Sequence, residues 1–393
     1  LWISTAIGGT TDPAPGTYIY DEGEEVSVTA LPDPDYLFDH WDLDGATRTE
    51  NPVNVTMDAD HTLTANFKET RVVPHDDLYI NEDTVLAPGF YNLADENAWG
   101  VIIINASDIM LDCNYAVLNN TGGYGAAIYN PDFHNVTIMS AVIQNFEYGI
   151  LMGWGENNTI IGNRIMRSPQ SQYGFEGITI DSGNNNTVAH NEVIGMNDAG
   201  IRLGGEGGVT NAKVLFNKLV SNYYGICQYN SDSSIIMNNT LNYNEYGVCL
   251  DSSDGCTIMY NSANSSGSDG FLISGYSRNN VIARNTAANN TGNGITIGWG
   301  PSHNTIAENY LVDNEGSGIC AGHAYSNEIM GNIIDRNAQS GINITSIHYA
   351  WLDLVYVYPS FNNTIAANNI NLNLYGIYLR GESYDNTVAN NTV

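Results

Sequence analysis

Tyr173-Gly174-Phe175-Glu176-Gly177 is the stretch with the strongest claim to chemistry. It sets a Tyr and a Glu three residues apart. The rest of the chain offers it no obvious partners. Arg164, Arg202, Lys213, Lys218, Arg278, Arg284, Arg336 and Arg380 do not gather beside an Asp cluster along the sequence, and there is neither a paired Asp in the repeats nor a Gly-His-Gly. His134, His190, His303 and His323 stand singly, without a His or Cys at ligand spacing, so no transition-metal set is expected. Asp42-Leu43-Asp44-Gly45 begins like a calcium loop but lacks the spaced ligands ending in Glu. No cofactor is expected, and Ca2+ is the one candidate.

The five cysteines carry their own expectation. Cys227 and Cys249 each lie two residues after a recurring Gly, in successive repeats, so they should stack vertically and point outward. Rung spacing falls within the Cα range that a disulfide tolerates. A surface disulfide between them is one reading and a pair of free thiols the other; the odd count leaves at least one thiol over.

These residues must be positioned by a repeat. The phrase His303-Asn304-Thr305-Ile306-Ala307-Glu308-Asn309 recurs before and after itself at steps of about two dozen residues, which is solenoid spacing. Its second Asn is read at Asn163, Asn191, Asn217, Asn238, Asn261, Asn285, Asn309, Asn332, Asn368 and Asn390. A Gly recurs at Gly149, Gly177, Gly200, Gly225, Gly247, Gly270, Gly294, Gly318, Gly341 and Gly376. Each unit holds short apolar alternations with period two, punctuated by Asn, Gly, Ser and Asp, which reads as short strands joined by tight turns. Such a unit cannot bury its own apolar side, whereas stacked copies can. The expected fold is all-β: a right-handed parallel β-helix in which Asn amides form a vertical ladder and the Gly fits a corner that excludes a Cβ.

Three regions follow: 1–70, a small all-β unit; 71–130, a linker and the first coils; and 131–393, the repeats. In the first, Gly9 to Gly16, Phe38 to Trp41 and Thr62 to Phe67 resemble the bacterial repeat domain related to the internalin B-repeat. That resemblance implies a spacer module of cell-surface proteins. In the second, Thr84 to Tyr91, Val101 to Ser107 and Ile109 to Asn114 resemble the first coils of the NosD-like or CASH-domain β-helix proteins, and the likeness continues to the C-terminus. The resemblance implies the fold. Its members include a copper-site maturation factor, polysaccharide lyases and epimerases, and surface proteins. The Tyr173 to Gly177 stretch is similar to the Tyr-Gly-Phe-Asp-Pro-His of mannuronan epimerases, but Glu replaces Asp and Pro-His is missing. It also fits a generic aromatic-Gly corner seen at Tyr148-Gly149, Tyr224-Gly225, Tyr246-Gly247 and Tyr375-Gly376.

Two excursions interrupt the coils, Arg164 to Glu176 and Ser346 to Ser360; the second, with Trp351 to Tyr356, is apolar and reads either as a contact surface or as a cover for the coil beneath. Acceptor triplets for N-glycosylation begin at Asn54, Asn105, Asn119, Asn135, Asn157, Asn185, Asn238, Asn264, Asn289, Asn343, Asn362 and Asn390, and Asn343 is the expected outward-facing one. Asn-Asn-Thr is also what the repeat turn wants.

Charge bounds the partners. A net charge of −31 repels nucleic acid and anionic lipid, and no apolar run is long enough to span a bilayer. The sequence opens and closes as if inside strands, so the last coil is expected either to be cut or to be covered by another chain. The expectation is an extracellular, glycosylated structural or adhesive protein, not an enzyme, that associates head to tail or with other cell-surface proteins or glycans. The alternative, motivated by 25 Tyr, is a carbohydrate-binding or carbohydrate-active β-helix; a NosD-like copper-binding factor ranks below it.

Overall fold

The computed structural model describes residues 1–122, 124–168, 175–351 and 354–393. They fall into two compact units, Leu1–Val73 and Pro74–Val393.

The first unit is a five-stranded sheet and a three-stranded sheet, antiparallel except where Trp2–Thr5 runs parallel to Thr62–Glu69. Alternation along Glu25–Pro32 and Thr62–Glu69 sends Val26, Val28, Leu63 and Ala65 inward around a fully buried Trp41, whose indole N–H donates to the Glu50 carbonyl. The calcium-loop candidate is a hairpin turn. Asp42 caps the Gly45 N–H at 2.6 Å, and Asp44 accepts from His61 at 2.6 Å and the Thr62 N–H at 2.7 Å.

The second unit is the parallel β-helix. Each coil gives one short strand to each of three sheets, of 13, 12 and 13 strands. The first sheet runs from Thr84–Val85 to Thr387–Ala389, the second from Phe90–Ala94 to Asn369–Asn371, and the third from Leu78–Ile80 to Tyr375–Leu379. Right-handed winding is the hand that parallel crossovers take. Period two puts the middle residue of the three-residue strands of the first two sheets inside through most of the coils. Ile138, Ile160, Val188, Val214 and Ile236 form one buried column, and Ile143, Ile165, Val193, Leu219 and Leu241 form another.

The corners are held by buried amides. Asn285 Oδ1 accepts from the Asn261 N–H at 2.9 Å and from Asn261 Nδ2 at 3.1 Å, while Asn285 Nδ2 donates to the Ile258 carbonyl at 2.8 Å. Every rung therefore satisfies polar groups of the rung before it, which is what burial demands. The ladder runs through Asn163, Asn191, Asn217, Asn239, Asn261, Asn285, Asn309, Asn332, Asn368 and Asn391.

Two positions correct the sequence reading. Asn238 and Asn390 lie beside the column, with left-handed φ of 57° and 55°, and Asn239 and Asn391 are the rungs. Two further Asn ladders, through Asn280–Asn304–Asn327–Asn363 and Asn290–Asn314–Asn337–Asn373, hold the other corners.

The Gly column owes its identity to close approach. A Cβ on Gly247 would sit 2.3 Å from the Gly270 carbonyl oxygen and 2.6 Å from Ala263 Cβ, contacts that no side chain relieves. The second excursion is an antiparallel hairpin, Ile347–Trp351 with Leu354–Tyr358. Leu352 and Asp353, and with them the expected contact at its tip, lie outside the described residues.

Candidate functional site

The outer face of the third sheet carries the only ion-paired cluster with a buried carboxylate among the described residues. Glu176 and Thr179 open the strand Glu176–Asn184, and Arg202 sits on the next rung in register with Thr179. Glu176 accepts from the Arg202 Nε–H on one oxygen and from the Thr179 hydroxyl on the other, and Arg202 Nη2 donates to Asp198. Glu176 is only 8% exposed, and burial raises its pKa against the opposing pull of Thr179 and Arg202. Asp181, on the same strand, is also raised by burial, with Arg202 opposing.

Aromatic side chains flank this trio along the stacking axis. Tyr148 is in register with Glu176 on the rung before. Tyr224 and Tyr246 follow on the rungs after Ala199, stacked with ring centroids 5.4 Å apart. Between Tyr148 and Trp99 lies a slot of about 220 Å³ lined also by Tyr129, Leu151, Ala126 and Glu147. Trp99 is 65% exposed. Burial raises the Tyr148 phenol, and Glu176 adds to the shift, so it stays a neutral donor. A larger hollow of about 510 Å³ in the first unit, between Tyr18 and Met57, has no comparable cluster of buried charge.

Chemically, the trio is self-satisfied. Both Glu176 oxygens are engaged, and Arg202 spends its fork on Glu176 and Asp198 while Nη1 lies 4.0 Å from Cys227 Sγ. Asp181, on the same strand, is the carboxylate that these bonds leave open to a ligand's hydroxyls. The arrangement suits holding hydroxyls beside an apolar slot.

The sequence expectations distribute unevenly over the structure. Tyr173 and Gly174 lie outside the described residues, and Phe175 is exposed. Arg202, not expected to gather beside an Asp cluster, is brought by rung stacking against Glu176, 26 residues back, and also pairs with Asp198. Of the other described ion pairs of the coils, Glu192 with Arg164 and Lys218, Arg284 with Glu308, and Arg336 with Asp313 are rung-to-rung contacts, and Arg336 also pairs with its chain neighbour Asp335.

Cys227 and Cys249 are in register on adjacent rungs, on the outer side of the sheet. They are not surface residues: they are 7% and 6% exposed under Tyr224 and Leu272, and all five cysteines are free thiols. Asn343 is likewise covered, 7% exposed between Cys320 and Tyr378, so it is not the outward acceptor. Asn119, Asn238 and Asn264 are half-buried, and Asn54, Asn105, Asn135, Asn157, Asn185, Asn289, Asn362 and Asn390 are exposed. Asn135, Asn157, Asn185, Asn238, Asn289, Asn362 and Asn390 have left-handed φ, which gives the repeat its own reason for Asn there.

Copper chemistry can be tested against the donors present. His190 stacks on Phe216 at 5.1 Å, His323 packs against Tyr358 at 4.7 Å, and His134 accepts from the Glu156 N–H. Among the described residues no three His, Cys, Asp or Glu side chains converge as a metal site, so the residues present do not fit a histidine-rich copper centre.

Comparison with known proteins agrees with this architecture. The family model described as periplasmic copper-binding protein (NosD) matches residues 89–267 and 207–352, and that of the divergent InlB B-repeat domain matches 1–71. No curated protein matches. Among solved structures, the periplasmic alginate epimerase AlgG is 15% identical, with a TM-score of 0.60 over 81% of this chain and 84% of that one. The Azotobacter vinelandii mannuronan C-5 epimerase AlgE4 A-module is 15% identical, with a TM-score of 0.52 over 80% of this chain and 89% of that one. The catalytic domain of a GH87 alpha-1,3-glucanase is 15% identical, with a TM-score of 0.56 over 81% and 63%. At such identities the likeness is one of fold. The matches to the family models cover most of the chain: it belongs to the NosD family of β-helix proteins and carries a divergent InlB B-repeat domain at its N-terminal side.

Proposed function

We propose that this chain is an extracytoplasmic β-helix protein that binds a neutral polysaccharide along the outer face of its third sheet, without turning it over. The observation that carries the reading is the apolar slot of Trp99, Tyr129 and Tyr148 beside the self-paired Glu176–Arg202–Asp198 trio. Pyranose rings present apolar C–H faces that lie against aromatic rings, while their hydroxyls need fixed acceptors, and the face offers both. Tyr148 and Tyr224 lie three rungs apart, about 14 Å at the usual strand spacing, which suits an extended chain of sugars.

Charge selects the class. Glu176, Asp181 and Asp198 stand around a single Arg202 and Glu147 lines the slot, on a chain of net charge −31, so a polyuronate would meet like charge. The epimerase and glucanase neighbours support a carbohydrate ligand through the shared fold, and the periplasmic description of the matched family supports an extracytoplasmic location. No helix in the described residues is long and apolar enough to cross a membrane. End-to-end association and N-glycosylation stand beside this reading as separate proposals.

Incubation with alginate, polygalacturonate and neutral glucans, followed by product analysis, separates binding from catalysis. The reading expects every polymer to be recovered intact; new reducing ends or altered uronate composition would replace it with an enzyme.

A further inference from the structure

Cys227 and Cys249 occupy the same position of neighbouring parallel strands. Their strands are spaced at about 4.8 Å, inside the 4.4–6.8 Å Cα range that a disulfide spans. Nothing separates them: they are neighbours in one buried cluster with Ala199, flanked by Tyr224 and Leu272. The remaining thiols are elsewhere. Cys113 is fully buried in the first coils, Cys256 is tied to Gln228 Nε2 at 2.9 Å, and Cys320 stands three rungs beyond Cys249.

The surroundings also distinguish the two sulfurs. Arg202 Nη1 lies 4.0 Å from Cys227 Sγ. The adjoining Cys249 thiol, aided by Arg202 and opposed by burial, lowers the Cys227 thiol from its ordinary value, and the adjoining Cys227 sulfur and burial raise Cys249. Cys227 is thus the nucleophile and Cys249 the resolving thiol.

We propose that Cys227 and Cys249 form a redox couple that closes a disulfide across adjacent rungs of the third sheet. With a diazene such as diamide as oxidant, the Cys227 sulfur adds to one nitrogen, and Cys249 then attacks the Cys227 sulfur and breaks the S–N bond. The two thiols lose two electrons and two protons, and the diazene leaves as its hydrazine carrying both. This inference is independent of the carbohydrate reading.

The test treats the folded chain with diamide, quenches in acid, alkylates in denaturant and maps the peptides by mass spectrometry. The expected result is loss of two of the five alkylatable thiols, one peptide pair joining Cys227 to Cys249 and two hydrogens lighter, and full recovery after dithiothreitol. C227S and C249S, checked for folding by circular dichroism, should yield no intrachain pair. Alkylation of all five thiols after diamide, or a bridge that uses another cysteine or a second chain, would overturn the proposal.

Discussion

Glu176 and Arg202 are 26 residues apart in sequence and one rung apart in space, joined through the guanidinium Nε–H. That contact balances a buried charge on the outer face of the third sheet, beside the aromatic slot of Trp99, Tyr129 and Tyr148.

Removing the cation exposes what it compensates. R202M is expected to destabilise the β-helix by about 3 kcal/mol at pH 8, because Glu176 is left charged and mostly buried. Burial already raises the Glu176 pKa, so the folded variant takes up a proton more readily than the unfolded chain. Its deficit should therefore shrink as pH falls toward 5, and denaturant titrations at the two pH values check this. An equal deficit at both would mean that the loss is one of packing.

The slot makes a separable prediction. W99A changes an exposed side chain, so the unfolding midpoint should hold within about 0.5 kcal/mol. Affinity for whichever neutral glycan binds should drop about tenfold, the loss of one aromatic contact. Titration calorimetry measures the second and thermal denaturation the first.

The ladder register can be read out by neighbouring substitutions. N239A leaves the Asn217 N–H and Nδ2 without their acceptor and should cost about 2–4 kcal/mol. N238G places glycine at a φ of 57°, where it is at ease, and should be neutral or slightly stabilising. The reverse order would return the ladder to Asn238.

In the first unit, His61 donates to Asp44 and Asp58. Its pKa is raised above 6.5, chiefly by the Asp44 hydrogen bond, and that of Asp44 is lowered below 3.8 by the same bond. The His61 contribution is fully present below about pH 6.5 and fades as pH rises through its folded pKa. That of Asp44 is present above about pH 3.8 and fades as pH falls through its own. H61A should thus lose more stability at pH 5.5 than at pH 9, where the neutral ring keeps one N–H for Asp44, with a difference of no more than about 1 kcal/mol for a pair whose carboxylate faces solvent.

The fold was legible because its period is carried by residues that geometry requires: an inward aliphatic, a corner amide and a glycine packed against the next carbonyl. The slip to Asn238 and Asn390 came from Asn-Asn doublets, in which one residue turns inward and the other takes the left-handed φ; both functions ask for asparagine. The site was less legible than the register that holds it. The Gly column already sets Arg202, two residues after Gly200, one rung beyond Glu176, just before Gly177; which outward side chains pair and bury one another there is decided by packing, not by spacing. Outward direction was equally misleading for Asn343, Cys227 and Cys249, because side chains on stacked rungs cover one another.

A glycan array probed with the wild-type chain and W99A at low and physiological salt tests the central claim most directly. Neutral glucans, mannans or xylans should be retained at both salt concentrations by the wild type and lost by W99A, with alginate and polygalacturonate dark throughout. Retention of the uronate polymers, or binding to neutral glycans that W99A leaves untouched, would contradict it.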